Sequence, residues 1–400
     1  YISKNMKKQE NLKENFKKLI LIESKNYIDS LIKNRRDLHK IPELGFQEFK
    51  TSKYIYNEIK DYVDEIYNLA TTGIVAYIYS NPKSNKTLLL RADIDALPIK
   101  EENEIEYKSE HEGLMHACGH DAHSSILINT IKYFSKNKDK LKINLKFMFQ
   151  PGEEGYAGAK KMIEEGILKD VDYSVALHVW NDLELGKVAI NKGPSMASSD
   201  SFEIELIGKG GHAAIPYQTN DPILLAINFI NYCYTYFPRS FNNEHILSFT
   251  YINAGTANNI IPDKLTIKGT IRTFDENIRI NVASKLERIL KTFCNLSNID
   301  YILKYNLGYP VLINDSFLYE IAYKALQKME VKIEKFKSMG SEDMAYIFQK
   351  VPGIYVAIGS KDEFNNAPHH NPKFNINENS MLIGMQFFIN FVYLLQENIK

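Results

Sequence analysis

Three imidazoles, a thiol and a carboxylate fall within nine consecutive residues, Met115-His116-Ala117-Cys118-Gly119-His120-Asp121-Ala122-His123. On extended backbone, Cys118 and His120 would share a face and reach one metal ion, with Gly119 leaving room for close approach. Taken alone, the pair equally describes a buried cysteine beside a helix start. A second cluster, Phe149-Gln150-Pro151-Gly152-Glu153-Glu154-Gly155, sets two carboxylates directly after an apolar run. Adjacent side chains on extended backbone diverge, so one can ligate a metal while the other faces the bound water. The competing reading is a helix N-terminus, where Glu favours the positive end of the dipole. His178 in Ala176-Leu177-His178-Val179-Trp180 and His370 in Pro368-His369-His370-Asn371-Pro372 end strand-like or loop segments. A lone histidine on an apolar strand is usually a satisfied core residue, so the case for His178 rests on its strand end sharing the edge reached by Glu154. Cys118, His120, Glu154, His178 and His370 together supply five S, N and O donors. Five donors suffice for two close metal ions sharing a bridging ligand, with a position open to water.

Such a site needs a scaffold. Short apolar or β-branched runs at Gly73–Tyr79, Thr87–Arg91, Asn144–Phe149 and Tyr173–Val179 alternate with helical patterns at Ser124–Phe134 and Ala157–Glu165. This alternation predicts an α/β domain with a mostly parallel sheet and helices on both faces. Leu88-Leu89-Leu90 and Phe147-Met148-Phe149 are apolar without alternation, as central strands are. Their polar C-terminal ends are where a site should sit. Helical spacing over residues 7–40 predicts one or two N-terminal helices, stopped by Pro42 and Gly45.

From about Lys192 the rhythm becomes strand (Ser201–Gly208), helix (Pro222–Phe237), strand (His245–Ile252), strand (Lys264–Arg272), helix (Asn277–Asn295), strand (Ile299–Tyr305). That β-α-β-β-α-β order predicts an inserted α+β, ferredoxin-like domain over residues 191–305. It leaves 1–190 and 306–400 as a discontinuous first domain, with helices at Ser316–Lys328 and Glu342–Gln349, a strand at Gly353–Gly359 and a buried final helix.

The motifs as a set resemble the M20 family of metallopeptidases and amidohydrolases, especially its aminoacylases, hippurate hydrolases and auxin-conjugate hydrolases. Arg35-Arg36-Asp37-Leu38-His39 with Pro42-Glu43-Leu44-Gly45-Phe46 opens the pattern, and Arg91-Ala92-Asp93-Ile94-Asp95-Ala96-Leu97-Pro98 follows. After the Cys118 cluster and the glutamate pair come Gly210-Gly211-His212-Ala213-Ala214, Gly255-Thr256-Ala257-Asn258-Asn259-Ile260-Ile261-Pro262, Gly340-Ser341-Glu342-Asp343 and His370-Asn371-Pro372. The resemblance implies that Cys118, His120, Glu154, His178 and His370 hold two divalent ions, Cys118 as the bridge, and that Glu153 is the general base. It further implies that His212 stabilises the oxyanion in a partner subunit's site, that Asn259 and Arg272 bind substrate, and that the inserted domain serves as lid and dimerisation surface. One position departs from the pattern: Tyr217 stands where relatives often carry a second histidine.

Composition narrows the class. Lys+Arg and Asp+Glu are both 49, a net charge of zero, which gives no field to gather nucleic acid or anionic lipid. The longest apolar stretch, Met381 to Leu395, is broken by Gln386 and Asn390 and is too short to span a membrane. Cys118, Cys233 and Cys294 are too few for a disulfide framework. The Lys-rich start lacks the pattern of a secretory signal, so a cytoplasmic protein is expected, with Met6 a candidate natural start. The expected function is amide hydrolysis of N-acyl amino acids, or of short peptides with a free carboxylate, by a homodimer. Thiolate ligation favours zinc or nickel, and the carboxylate and imidazoles also accept manganese. The alternatives are a carboxypeptidase or dipeptidase of the same family, a thiol hydrolase using Cys118, and a non-catalytic metal-binding protein. The last two leave the glutamate pair unexplained.

Overall fold

Thr87–Asp93 and Asn144–Gln150 are buried at every position, which explains why their sequences show no alternation. In the computed structural model, which describes residues 25–241 and 244–399, both lie inside an eight-stranded sheet. The chain reaches it through helices Ile28–His39 (α1) and Phe49–Ile59 (α2), then strands Glu65–Leu69 (β1), Gly73–Ile78 (β2) and Thr87–Asp93 (β3). Helix His120–Lys136 (α3) crosses to Asn144–Gln150 (β4), and Gly158–Glu164 (α4) leads to Tyr173–Glu184 (β5) and Lys187–Ala189 (β6).

A second segment follows, built of Ser199–Ile207 (β7), Pro222–Ser240 (α5), His245–Ala254 (β8), Lys264–Thr273 (β9), Glu276–Ser297 (α6) and Asp300–Tyr309 (β10). The chain then adds Ser316–Gln327 (α7), Lys332–Glu334 (β11), Gly353–Lys361 (β12) and Asn379–Asn398 (α8). The described residues form two compact units. One comprises 25–193, Ile313–Phe336 and 346–399; the other comprises Pro194–Leu312 with Lys337–Ala345.

In the first unit the strand order is β1-β2-β4-β3-β5-β12-β6-β11. Its centre, β4-β3-β5-β12, is parallel, as expected. The contacts β1–β2, β2–β4 and β12–β6 are antiparallel. A tight turn with Ala70 at φ 49° and Thr71 at φ 69° reverses β1 into β2, and a reversal that short can only give an antiparallel neighbour. Leu88, Leu90 and Phe147 of the sheet share a core with Ile126, Leu127 and Ile131 of α3 and Met385, Phe388 and Val392 of α8. Two expectations change. Helix α2 has no counterpart in the sequence reading, and the helix expected over Glu342–Gln349 shortens to Ala345–Phe348. Most of the expected N-terminal helical pattern, and Met6, lie outside the described residues.

In the second unit the four strands are all antiparallel in the order β8-β9-β7-β10, the ferredoxin-like arrangement expected from the element order. Asp221 caps α5 and Asp275 caps α6, each accepting from two backbone N–H groups. Leu225, Phe229, Cys233 and Phe237 recur at four-residue spacing on α5 and pack with Leu286 and Leu290 of α6 over Ile204 and Ile267 of the sheet. Among the described residues, no helix is long and apolar enough to cross a membrane.

Candidate metal centre

The chemically active side chains of the first unit gather at the C-terminal ends of its parallel strands, as the fold predicts. Asp93 ends β3 and Asp95 follows it, Glu153 and Glu154 follow β4, and His178 lies on β5. His370 comes from the loop after β12, at φ 65° and with its N–H donated to the Ala117 carbonyl at 2.8 Å.

Cys118 and His120 do not meet across extended backbone. Gly119 between them is left-handed, at φ 89° and ψ 13°, and forms the N-cap of α3. A Cβ there would come within 2.3 Å of Val179 Cγ2, so glycine is required both for the dihedral and for the close packing. The glutamate pair is also not extended. Glu153–Tyr156 is one broken helical turn, entered through Gly152 at φ 61° and interrupted at Glu154 (ψ 75°) and Gly155 (φ 83°). The two carboxylates, expected to diverge, each keep an oxygen within 4.8 Å of the other.

Five donors form two overlapping groups. Ligand atoms of Cys118, His120 and His178 lie within 4.8 Å of one another, and so do those of Cys118, Glu154 and His370. Cys118 Sγ is 3.5 Å from His178 Nε2, and His370 Nε2 is 3.1 Å from Glu154 Oε1. His120, Glu153 and Glu154 form a further group within the same limit.

The surroundings orient these donors. His178 Nδ1 faces the Val179 carbonyl at 2.5 Å, which assigns its proton there and turns Nε2 toward Cys118. His120 Nδ1 donates to Asp95, 2.9 Å from its carbonyl and 3.2 Å from Oδ1. The other Asp95 oxygen accepts the Glu154 N–H at 2.9 Å, so one side chain aligns donors from two elements. His123 gathers near Asp93 and His120, but its Nε2 accepts the Val179 N–H at 2.9 Å and its Nδ1 donates to Asp93 at 2.6 Å. With both nitrogens engaged, His123 has no lone pair for a metal. Asp93 is in turn held by Arg91 at 2.7 Å. The sequence reading assigned no role to Asp93 or Asp95. The signal for the two aspartates is their alternate spacing at the end of an apolar strand.

The electrostatics call for a cation. Burial opposes protonation of His120, yet Asp93, Asp95 and Glu154 push it up to about 10. Burial raises the Cys118 thiol well above its ordinary range, and Glu154, Glu153 and Asp93 add to the shift. His120 Nε2 is buried without a hydrogen-bond partner. A thiol, imidazoles and carboxylates in surplus negative potential, around an orphaned nitrogen, fit divalent transition-metal ions.

The remaining predicted residues belong to the second unit. His212 and Asn259 are exposed and adjacent: His212 pairs in register with Ile260, and the Asn259 carbonyl accepts the Ala213 N–H at 3.0 Å. His212 Nδ1 accepts the Ala214 N–H at 3.1 Å, so its proton sits on Nε2 and is available to donate. Arg272 near the end of β9 donates to the Met339 carbonyl at 2.8 Å. No carboxylate among the described residues pairs with it.

The fold and the donor set define a metallohydrolase class, and comparison with known proteins gives the family. Residues 89–394 match peptidase family M20/M25/M40. Thermostable carboxypeptidase 2 of Saccharolobus solfataricus is 36% identical over 366 residues, 89% of this chain and 93% of that protein. N-acetylcysteine deacetylase of Bacillus subtilis is 34% identical over 375 residues, 92% of this chain and 98% of that one. The crystal structure of a dinuclear metal binding peptidase of the M20 family from Bacillus subtilis is similar with a TM-score of 0.84 and 32% identity, covering 94% of this chain and 99% of that chain. The chain belongs to peptidase family M20/M25/M40 and is a hydrolase.

Proposed function

We propose that the protein is a dinuclear metal-dependent amidohydrolase that cleaves the amide bond of an N-acyl amino acid, or of a short peptide, bearing a free carboxylate. The observation that carries this reading is that the Cys118 sulfur belongs to both donor groups. Cys118, His120 and His178 would hold one ion, and Cys118, Glu154 and His370 the other. When bound, two divalent ions supply Lewis-acid polarisation of the scissile carbonyl and acidify the attacking water.

Glu153 is the proton carrier. Its carboxylate takes a proton from the attacking water and delivers it to the leaving amine. His212, with its proton on Nε2, donates to the developing oxyanion in the partner subunit of a homodimer formed through the ferredoxin-like unit. Asn259 adds a polar contact to substrate, and Arg272, which has no carboxylate partner among the described residues, grips the substrate carboxylate. The thiol-hydrolase alternative runs against the electrostatics, because a nucleophilic cysteine needs a lowered pKa and that of Cys118 is raised. The three cysteines are unpaired, which suits a reducing cytoplasmic setting.

The test is a hydrolysis screen of acetyl, benzoyl and indole-acetyl amino acids and of dipeptides, with and without added zinc, manganese or nickel. Metal-dependent release of amino acid from the acyl substrates supports the reading. Cleavage of dipeptides alone would assign the chain to the carboxypeptidase or dipeptidase side of the family, and failure on every amide would overturn it.

A further inference from the structure

Glu48 occupies the N-cap position of α2, at φ −76° and ψ 48°, yet its side chain makes no capping hydrogen bond. Glu43 performs that role, accepting from the N–H groups of Lys50 at 3.2 Å and Thr51 at 2.9 Å and from the Thr51 hydroxyl at 3.0 Å. The Glu48 carboxylate turns inward and is 0% exposed. There it accepts the Gly152 N–H at 2.9 Å and the Thr72 hydroxyl at 2.6 Å. No cationic side chain among the described residues pairs with it. Burial raises its pKa to about 7, opposed only in part by these hydrogen bonds. A carboxylate kept in such a place costs stability that a neutral residue would not, and groups of this kind concentrate at functional sites.

Its partner explains the placement. Gly152 opens the turn that carries Glu153, and its carbonyl accepts the Gly158 N–H at 2.9 Å. Its left-handed φ of 61° leaves a Cβ only 3.1 Å from Tyr156 and 3.3 Å from Phe46. Both polar groups of Gly152 are therefore pinned, one of them by Glu48. We infer that Glu48 is a positioning residue for Glu153: by holding the Gly152 N–H, its carboxylate sets the turn from which the Glu153 side chain reaches the reacting centre. The inference rests on the reading of Glu153 as general base.

Two substitutions separate positioning from bulk stability. Glu48→Gln keeps an oxygen that can accept the Gly152 N–H, whereas Glu48→Met fills similar volume without an acceptor. Glu48→Met should lower kcat by about 10- to 100-fold, the scale of a small misplacement of a catalytic group, with KM and bound metal per chain unchanged. Glu48→Gln should stay within about threefold of wild type if the acceptor is what matters. In metal-free protein, hydrogen exchange over residues 150–156 should accelerate in Glu48→Met and not in Glu48→Gln. Where Glu48→Met does not accumulate as folded protein, Glu48→Asp, which shortens the reach to Gly152, is judged by the same readouts.

Equal kcat loss in the Gln and Met variants, loss of metal along with rate, or unchanged exchange over 150–156 would overturn the inference. Glu153→Gln, assayed in parallel, separates the two failures. A Glu153→Gln enzyme at wild-type rate removes the general-base reading itself, whereas an inactive Glu153→Gln beside a fully active Glu48→Met removes only the role given to Glu48.

Discussion

Cys118 Sγ lies 3.5 Å from Nε2 of His178, although 60 positions separate them in the chain. The approach depends on the left-handed Gly119, which lets the start of α3 pack against Val179. It also depends on the His178 ring, whose Nδ1 is committed to the Val179 carbonyl. The same sulfur is grouped with Glu154 and His370, which makes Cys118 the side chain most sensitive to metal-binding tests.

Purified protein should contain about two divalent ions per chain, since five donors exceed one tetrahedral set. Cys118→Ala should lose at least one of them, and activity with it, as read by elemental analysis and amide hydrolysis. A Cys118→Ala protein with both ions in place, beside a wild type inactivated by thiol reagents, would favour the thiol hydrolase instead.

The neighbouring glutamates should separate cleanly. Glu153→Gln should keep metal and substrate affinity while kcat falls by roughly 10²- to 10⁴-fold, because the change removes proton transfer in the transition state. Glu154→Gln should lose metal. Equal metal loss in the two variants would reverse or cancel the assignment.

Gly119→Ala should be strongly destabilising. The left-handed φ of 89° costs about 1–2 kcal/mol for a residue with a Cβ, and overpacking typically costs about 1–3 kcal/mol. Denaturant titration of metal-free protein should show about 2–5 kcal/mol lost, and metal affinity should fall because Cys118 and His120 flank the shifted turn. A variant as stable as wild type would show that the turn at Gly119 relaxes freely.

Glu48 should make stability depend on pH. Its pKa is about 7 in the folded chain against 4.5 for the free group, so between these values the folded chain holds a proton that the unfolded chain has released. The associated stability is complete below pH 4.5 and is lost as pH rises through about 7. Glu48→Gln does not titrate. In metal-free protein its stability relative to wild type should therefore rise by about 2–3 kcal/mol between pH 5 and 8 and then level off. A difference that stays constant with pH would mean that Glu48 is ionised throughout.

Arg272→Ala should raise KM for carboxylate-bearing substrates by about 10- to 150-fold, the equivalent of a charge-assisted contact of roughly 1.5–3 kcal/mol. Esterifying the substrate carboxylate should erase most of the difference between variant and wild type. An equal loss on ester and acid would place Arg272 outside carboxylate recognition.

The element order of the second unit was legible because each piece carries its own periodicity, such as alternation in Ser199–Ile207 and four-residue spacing in Pro222–Ser240. The central strands were legible for a related reason, since burial on both faces leaves unbroken apolar runs such as Leu88-Leu89-Leu90. The short strands Lys187–Ala189 and Lys332–Glu334 were not, because three residues carry no period and their pairing depends on what the rest of the sheet offers.

At the site, the sequence by itself determined the chemical types, since thiol, imidazole and carboxylate donors cluster at strand ends and their identities need no coordinates. Only the tertiary structure decided how they converge. The left-handed turns at Gly119 and Gly152 replace the expected extended backbone. Asp95 serves His120 and Glu154 at once, His123 is consumed by Asp93 and the Val179 N–H, and Glu48 leaves its own helix to hold Gly152. Each of these joins residues far apart in the chain, and such contacts become favourable only when the assembled sheet brings the partners together and removes them from water.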